Sequence, residues 1–133
     1  MILDTVYLVK LFGDKPNAHE KAKGLESRSV IQRVPSPVLT EIEYGAEFRA
    51  GEKERRRIRN VSRLYSVTQL TEEIATRAGQ LHAQADETAG GVDKSGADAV
   101  DAMVAAVAEI ADEKVVTEDV DDFRRLGVEV EPF

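Results

Sequence analysis

The sequence contains no cysteine, no tryptophan and only two histidines among 133 residues. Without cysteine there is no disulfide framework, no thiolate nucleophile and no cysteine-bound zinc site. The two histidines, His19 and His82, are isolated from each other along the chain, which disfavours a histidine-based metal site. Any metal ion would therefore be a hard one held by oxygen ligands.

Long apolar runs are also missing. No stretch approaches the roughly 18 to 20 apolar residues that a membrane helix needs. Met1 leads into a strand-like segment rather than the basic and apolar regions of a signal peptide. We therefore expect a cytoplasmic protein. With 42% hydrophobic residues, the chain is long enough to bury one core, and we expect a single domain over residues 1–133.

Positive charge is scarce, since 18 lysines and arginines face 25 acidic residues and the formal net charge is −7. Such a chain repels a polyanion on average, which excludes a protein that simply coats nucleic acid. One segment differs: RAGEKERRRIRNVSR, residues 49–63, is rich in arginine. It is either a solvated helix face or a surface that contacts phosphates or a protein partner.

Short apolar segments alternate with segments of helical periodicity along the whole chain. This alternation predicts an α/β fold, a sandwich of a central parallel sheet flanked by helices. The predicted strands are MIL at the start of the chain, SVIQRV (29–34), YSVTQL (65–70), KVVT (114–117) and VEVEPF (128–133).

Several helix ends carry recognisable signals. Gly13 ends the helix that follows the first strand, and Ser36 is predicted to cap a helix whose first turn contains Pro37. Ser95 and Asp98 form the S-x-x-D pattern of a capping box, after a loop predicted at ETAGGVDKSG (87–96). Thr71 caps a further helix, with a predicted buried stripe of Ile74, Ala78, Leu81 and Ala85.

Four carboxylates are predicted to meet at one edge of the sheet. Asp4 ends the first strand and Asp119 closely follows the VVT strand. Glu41 and Asp101 stand near the starts of helices that begin at the same edge, where parallel α/β sheets bind ligands. Unpaired carboxylates in one place repel one another, so a divalent cation best explains the convergence, and oxygen ligands suit Mg²⁺ or Mn²⁺.

Each of these acids also has a structural alternative. Asp4 could cap the following helix, and Glu41 could be a solvated glutamate near a positive helix end. Asp101 lies within an Ala/Val-rich helix, where no capping role is expected. One acid of the EDVDD segment is expected to cap the short helix beside it; we assign Asp119 to the metal and Asp122 to its support.

The acid-bearing segments, in their order along the chain, resemble those of the PIN domain, and within it those of the VapC-type toxins of toxin–antitoxin pairs. MILDTVYLVKLF looks like the family's opening, SPVLTEIEYG carries its second acid, DAMVAAVA is similar to its third motif and VTEDVDDF to its fourth. The chain departs from the family at Val6, where a small hydroxyl residue is common, and Glu43 competes with the second acid. The resemblance implies a four-acid catalytic and metal site with two supporting hydroxyls: Asp4, Glu41, Asp101, Asp119, Thr5 and Thr117.

The resemblance implies a homodimeric endoribonuclease that uses Mg²⁺ or Mn²⁺ to cut single-stranded or exposed RNA, often transfer RNA. A small VapB-like antitoxin would neutralise it. The arginine-rich segment would then contact RNA or antitoxin through Arg55, Arg56, Arg57 and Arg59.

Two alternatives stay open. One is a catalytically degenerate PIN-like fold that only binds proteins. The other is a phosphoacceptor receiver domain, although the chain has neither the central acceptor strand ending in Asp nor the late strand ending in Lys that such a domain needs.

Overall fold

A computed structural model describes residues 1–49 and 51–133, and Ala50, which falls within the basic segment, lies outside the described residues. Helices and short strands alternate along the described chain, as predicted. In chain order they are β1 (Ile2–Leu3), α1 (Thr5–Phe12), α2 (Pro16–Ser27), β2 (Arg33–Pro35), α3 (Ser36–Arg49), α4 (Glu52–Arg59), α5 (Val61–Leu64), β3 (Ser66–Thr68), α6 (Glu72–Ala89), α7 (Ala99–Ala111), β4 (Val115–Thr117), α8 (Val120–Arg125) and β5 (Val130–Pro132).

The strands of the described chain form one five-stranded parallel sheet in the order β3-β2-β1-β4-β5. Strand β1 lies at its centre, where Ile2 pairs with both Arg33 and Val115. Every residue of β1 and β4 is buried, whereas the edge strands β3 and β5 are partly exposed. Continuous burial of the central strands is typical of a parallel sheet covered on both faces. The prediction of an α/β fold with helices flanking a central parallel sheet is confirmed.

Helix α7 packs closely on the sheet because its buried face is made of small residues. It contacts β1, β2 and β4 and lies against α6, whose predicted apolar stripe is buried. Within residues 1–49 and 51–133, no helix combines the length and apolarity that crossing a bilayer requires. The buried residues of α7 are Ala102, Val104, Ala105, Ala106, Val107 and Ala108.

Several element boundaries differ from their predictions. Strand β2 begins at Arg33 rather than residue 29, and Ile31 before it is exposed. Helix α6 continues through Ala89, so the first three residues of the predicted loop are helical. Ser36 is the first residue of α3, and its hydroxyl accepts a hydrogen bond from the backbone N–H of Leu70 at 3.0 Å. That side chain holds the connection between β3 and α6 rather than the end of its own helix.

Candidate functional site

The carboxyl ends of β1 and β4 bring the first and last predicted motifs together. The two strands are neighbours with Leu3 opposite Val116, so Asp4 and Thr117 emerge side by side. The Thr117 hydroxyl donates to Asp4 Oδ2 at 2.8 Å, and the backbone N–H of Asp119 donates to Thr117 Oγ1 at 3.0 Å. The buried Thr117 therefore connects two of the predicted acids through one hydroxyl group.

Thr5 makes the second connection at this edge. Its backbone N–H donates to Asp4 Oδ1 at 2.8 Å and its hydroxyl donates to Glu41 Oε1 at 2.5 Å. Glu41 reaches this position because α3 begins directly after β2, the neighbour of β1. Asp4 is also the N-cap residue of α1, so its structural role as a cap accompanies its place in the acid cluster.

Asp98 and Asp101 form a capping box at the start of α7. The Asp98 carboxylate accepts from the Asp101 N–H at 2.8 Å, and Asp101 Oδ2 accepts from the Asp98 N–H at 2.9 Å. The predicted box of Ser95 and Asp98 is wrong, and so is the expectation that Asp101 has no capping role. Both errors have one cause, since the preceding loop extends through Ala97 and moves the start of the helix along the chain.

Asp4 ionises with difficulty in the folded chain. Burial raises the pKa of Asp4 to about 6, while hydrogen bonds from Thr117 and Thr5 oppose the shift. Repulsion from Asp119 and Glu41 raises the pKa further. A carboxyl group that is desolvated beside other acids is stabilised by a cation, which removes the repulsion.

Two further acids share this behaviour. Burial raises the pKa of Asp101 to about 7, with added repulsion from Asp98, Asp4 and Glu41. Burial also raises the pKa of Asp119, where repulsion from nearby acids adds to the effect and Lys10 opposes it. Charges from separate segments of the chain therefore act on these buried acids: those of Asp119 and Glu41 raise the pKa of Asp4, and those of Asp4 and Glu41 raise the pKa of Asp101.

The donor set fits a hard divalent cation because it consists of carboxylate and hydroxyl oxygens. Within the described part of the chain, however, no three acidic or histidine side chains already stand close enough to hold an ion. Glu41 and Asp101 are held instead by hydrogen bonds from Thr5 and from the backbone of Asp98. A cation shell would require some of the acidic side chains to move from the positions that they occupy here.

A lysine–glutamate pair that sequence reasoning missed borders the cluster. Lys10 Nζ contacts both carboxylate oxygens of Glu118, at 2.6 and 2.5 Å, and Asn17 Nδ2 donates to Glu118 Oε1 at 3.2 Å. These contacts join α1 and α2 to the turn that carries Asp119. Lys10 and Glu118 are 108 positions apart, so no local pattern indicates the pair.

Arg57 anchors the basic helix α4 to the end of α1. Its guanidinium donates to the Phe12 carbonyl at 2.6 Å and to Asp14 Oδ1 at 2.9 Å. Hydrogen bonds from Lys53, Arg57 and His19 hold the pKa of Asp14 well below its usual range. Arg57, predicted as an RNA or antitoxin contact, is therefore engaged within the fold. The other predicted contacts are Arg56, which donates to Glu52 at 3.4 Å, the half-buried Arg55, and the exposed Arg59.

A cleft of about 520 Å³ opens beside the acids. Thr5 and Glu41 line it at the acid end, and Tyr44 and Arg49 contribute farther along α3. The rings of Tyr44 and Phe48 lie 5.0 Å apart and are 68% and 72% exposed, respectively. The cleft therefore places the exposed ring of Tyr44 on the same surface as Thr5 and Glu41.

The model of the PIN domain family matches residues 1–129. The chain belongs to the PIN domain family. Solved structures share its fold: VapBC2 from Rickettsia felis bound to a promoter DNA fragment is 18% identical with a TM-score of 0.78, covering 99% of this chain and 97% of that chain. DNA-bound VapBC from Salmonella typhimurium is 24% identical with a TM-score of 0.75 (98% and 96% covered). FitAcB from Neisseria gonorrhoeae is 20% identical with a TM-score of 0.73 (97% and 94%). No curated protein matches the chain.

Membership of the PIN family overturns the receiver-domain alternative. The structure also distinguishes the two acids that compete for the second motif of this PIN domain. Glu43 is exposed, whereas Glu41 accepts a hydrogen bond from the Thr5 hydroxyl. Asp122 accepts from Arg125 at 3.2 Å and raises the pKa of Asp119. Asp119 occupies the N-cap position of α8, but its side chain makes no capping hydrogen bond.

Replacing Thr117 with Val is expected to destabilise this PIN domain by about 1 to 3 kcal/mol, because it leaves Asp4 Oδ2 and the Asp119 N–H without their hydrogen-bond partner. Valine matches threonine in shape but has no hydroxyl. Urea denaturation at pH 7 measures the change, and Thr117→Ser, which keeps the hydroxyl, should recover most of the loss. Equal stability of the Val variant and the wild type would contradict a structural role for this hydroxyl.

Proposed function

We propose that the chain is a VapC-type endoribonuclease that hydrolyses RNA phosphodiester bonds with Mg²⁺ or Mn²⁺. The observation that carries the proposal is the grouping of Asp4, Glu41, Asp101 and Asp119 at one sheet edge, where burial and nearby acids raise the pKa values of the three aspartates. Burial and mutual repulsion make this edge costly for the apo fold. Membership of the PIN family supports a hydrolase that acts on nucleic acid.

The residues of the edge fit the needs of phosphodiester hydrolysis. A bound divalent ion supplies an activated water and positive charge beside the phosphate. Asp4, Asp101 and Asp119 would hold the ion, while Glu41 would orient a water or complete the set of ligands. The Thr5 hydroxyl restrains Glu41 and the Thr117 hydroxyl restrains Asp4, so both supporting residues act on carboxylate orientation.

We also propose that a VapB-like antitoxin binds the chain and that the chain forms a homodimer. Among the solved structures of this fold are a toxin–antitoxin complex from Klebsiella pneumoniae and the VapBC assemblies named above. The exposed Tyr44 and Phe48 beside the cleft offer an apolar surface to such a partner. RNA, with transfer RNA as the first candidate, would approach the same acids.

The direct test incubates the purified chain with total RNA and with isolated transfer RNA, adding Mn²⁺, Mg²⁺ or a chelator. Cleavage should require the metal and should be absent from the Asp4→Asn, Asp119→Asn double variant. Cleavage that survives in chelator or in the double variant would disprove a metal-dependent reaction at these acids.

A catalytically degenerate PIN domain that only binds proteins is the second candidate. It is favoured by the finding that, in the described residues, no three acids already form a cation shell. Calorimetric titration with Mn²⁺ separates the two candidates. Binding lost in the Asp4→Asn, Asp119→Asn variant supports the nuclease, and no binding to the wild type supports the degenerate module.

The basic helix offers a matched pair of variants. Arg57→Ala should destabilise the fold by about 1 kcal/mol, because the half-buried Phe12 carbonyl loses its charged donor. Arg59→Ala should change stability by less than about 0.5 kcal/mol. If α4 follows the RNA backbone, Arg59→Ala should instead weaken RNA binding and reduce the salt slope by about one. Thermal melts and filter binding at several salt concentrations measure both effects, and an unchanged slope would assign Arg59 to a solvated face.

A further inference from the structure

The loop between α6 and α7 has an unusual backbone. Four of its residues adopt positive φ angles: Gly90, Gly91, Asp93 and Gly96. Positive φ is disfavoured for a residue with a side chain such as Asp93, so a loop of this shape depends on contacts that hold it. It leads directly into Asp98, the N-cap of α7, and therefore determines where that helix begins.

One carboxylate provides those contacts. Asp86, on the last turns of α6, accepts from the Ser95 hydroxyl at 2.5 Å and from the Ser95 N–H at 3.1 Å through Oδ1. Its Oδ2 accepts from the Asp93 N–H at 3.1 Å. Ser95 is fully buried, so its hydroxyl depends on Asp86 for a partner. His82, one turn earlier, places Nε2 2.9 Å from the Ala97 carbonyl.

The same loop also reaches the last acidic motif. Arg125 on α8 donates from Nη1 to the Ser95 carbonyl at 2.9 Å and to Asp122 Oδ1 at 3.2 Å. At Gly96, with φ +85°, a Cβ atom would lie 3.0 Å from Asp122 Oδ1. The loop thus lies between Asp86 on one side and Asp122 on the other, and a side chain at Gly96 would strain the backbone and require the Asp122 carboxylate to shift.

We propose that Asp86 is a positioning residue of the acid site: through Ser95 and Asp93 it holds the 90–97 loop, and the loop sets the Asp98–Asp101 box and the position of Asp122. Neither the motifs nor the acid cluster contains Asp86. The inference rests on the proposed metal-dependent function. Asp86 is not itself a proposed metal ligand. Its loss should therefore weaken the affinity of the site for metal without removing a ligand.

The test compares Asp86→Ala, Asp86→Asn and the control Glu87→Gln, which removes one charge from an exposed neighbour on the same helix. The primary readout is the Mn²⁺ concentration that gives half of the metal-induced rise in melting temperature. Asp86→Ala should raise this concentration about tenfold, as expected for an outer residue that orients ligands. Asp86→Asn should fall between Ala and wild type, because it keeps one acceptor oxygen for Ser95. The control should match the wild type.

Two further readouts separate positioning from general destabilisation. Amide hydrogen exchange at residues 98–102 should accelerate in Asp86→Ala more than exchange in α1, because the capping box loses its support. RNA cleavage at saturating Mn²⁺ should stay within about threefold of wild type, since the ligands remain present. Asp86→Asn supplies the same comparisons should the Ala variant fail to fold.

The outcomes distinguish this inference from the proposed function. A wild-type chain whose melting temperature does not respond to Mn²⁺ would overturn both. If the wild type responds and the Asp86 variants show the same half-saturating concentration, Asp86 has only a structural role and this inference alone is overturned. A lower melting temperature with unchanged metal dependence counts as that second outcome.

Discussion

Replacing Asp101 with Asn is expected to reduce RNA cleavage by more than about 100-fold. That is a larger loss than is usual for a residue that only hydrogen-bonds to a metal ligand, which is about 10- to 100-fold. Asparagine retains an acceptor oxygen for the Asp98 N–H, so the capping box at the start of α7 can persist. What it lacks is the negative charge. Cleavage assays with Mn²⁺, supported by circular dichroism to show an intact fold, measure this effect, and full activity would remove Asp101 from the site.

The same substitution should stabilise the apo protein at pH 8. Because the pKa of Asp101 rises from 3.8 to about 7 on folding, its ionisation favours the unfolded chain increasingly as the pH rises from about 4 to about 7, and the full cost is present at pH 8. Asparagine avoids that cost, which we place at about 1 to 2 kcal/mol after allowing for solvent screening. At pH 5 the carboxyl is protonated in the folded chain but already ionised in the unfolded chain, so only part of this cost remains and the gain from asparagine should be smaller than at pH 8. If the Asn variant is less stable than the wild type at pH 8, the ionised carboxylate of Asp101 does not destabilise the fold.

We expect rising pH to lower the stability of the wild-type apo protein and added divalent metal to raise it. Folding raises the pKa of Asp4 to about 6 and that of Asp101 to about 7, so the folded chain binds more protons than the unfolded chain between about pH 4 and pH 7. The stability that these groups contribute is complete below about pH 4 and is lost as the pH rises through 6 and 7. The apo protein should therefore lose this contribution between pH 5 and pH 8.

Mn²⁺ or Mg²⁺ should reverse that loss. The ionised cluster of the folded chain binds the ion better than the unfolded chain does, and metal at 100 times its dissociation constant adds about 2.7 kcal/mol. The rise in melting temperature should be larger at pH 8 than at pH 5, where protons compete for the same carboxylates. Melting curves at both pH values, in chelator or in metal at equal ionic strength, measure it.

The control for metal binding is the Asp4→Asn, Asp119→Asn double variant. An acidic surface with a net charge of −7 responds to cations without any specific site. If the double variant gains as much stability from Mn²⁺ as the wild type does, the four acids do not form a metal site. A gain confined to the wild type would place the metal at the carboxyl ends of β1 and β4.

Much of the candidate site could be predicted because each of its acids lies in a recognisable pattern of adjacent residues. An apolar strand that ends in Asp4, an Ala-rich helix that contains Asp101 and a VVT strand that leads to Asp119 each follow from a few adjacent residues. The rule that parallel strands direct their carboxyl ends to one edge then predicts that these acids meet. Long-range contacts were not predictable, since nothing near Lys10 indicates Glu118 and nothing near Arg57 indicates the Phe12 carbonyl.

The sequence by itself determined the order of the elements and the parallel α/β fold, and it predicted the four acids of the candidate site, because hydrophobic periodicity and strand-end chemistry depend on neighbouring residues. Only the tertiary structure decided that Asp101 pairs with Asp98. The length of the preceding loop fixes where α7 begins, and that loop is shaped by Asp86 from another helix. Only the fold, too, decided which acids are hard to ionise, since desolvation depends on what packs around a carboxylate rather than on its neighbours along the chain.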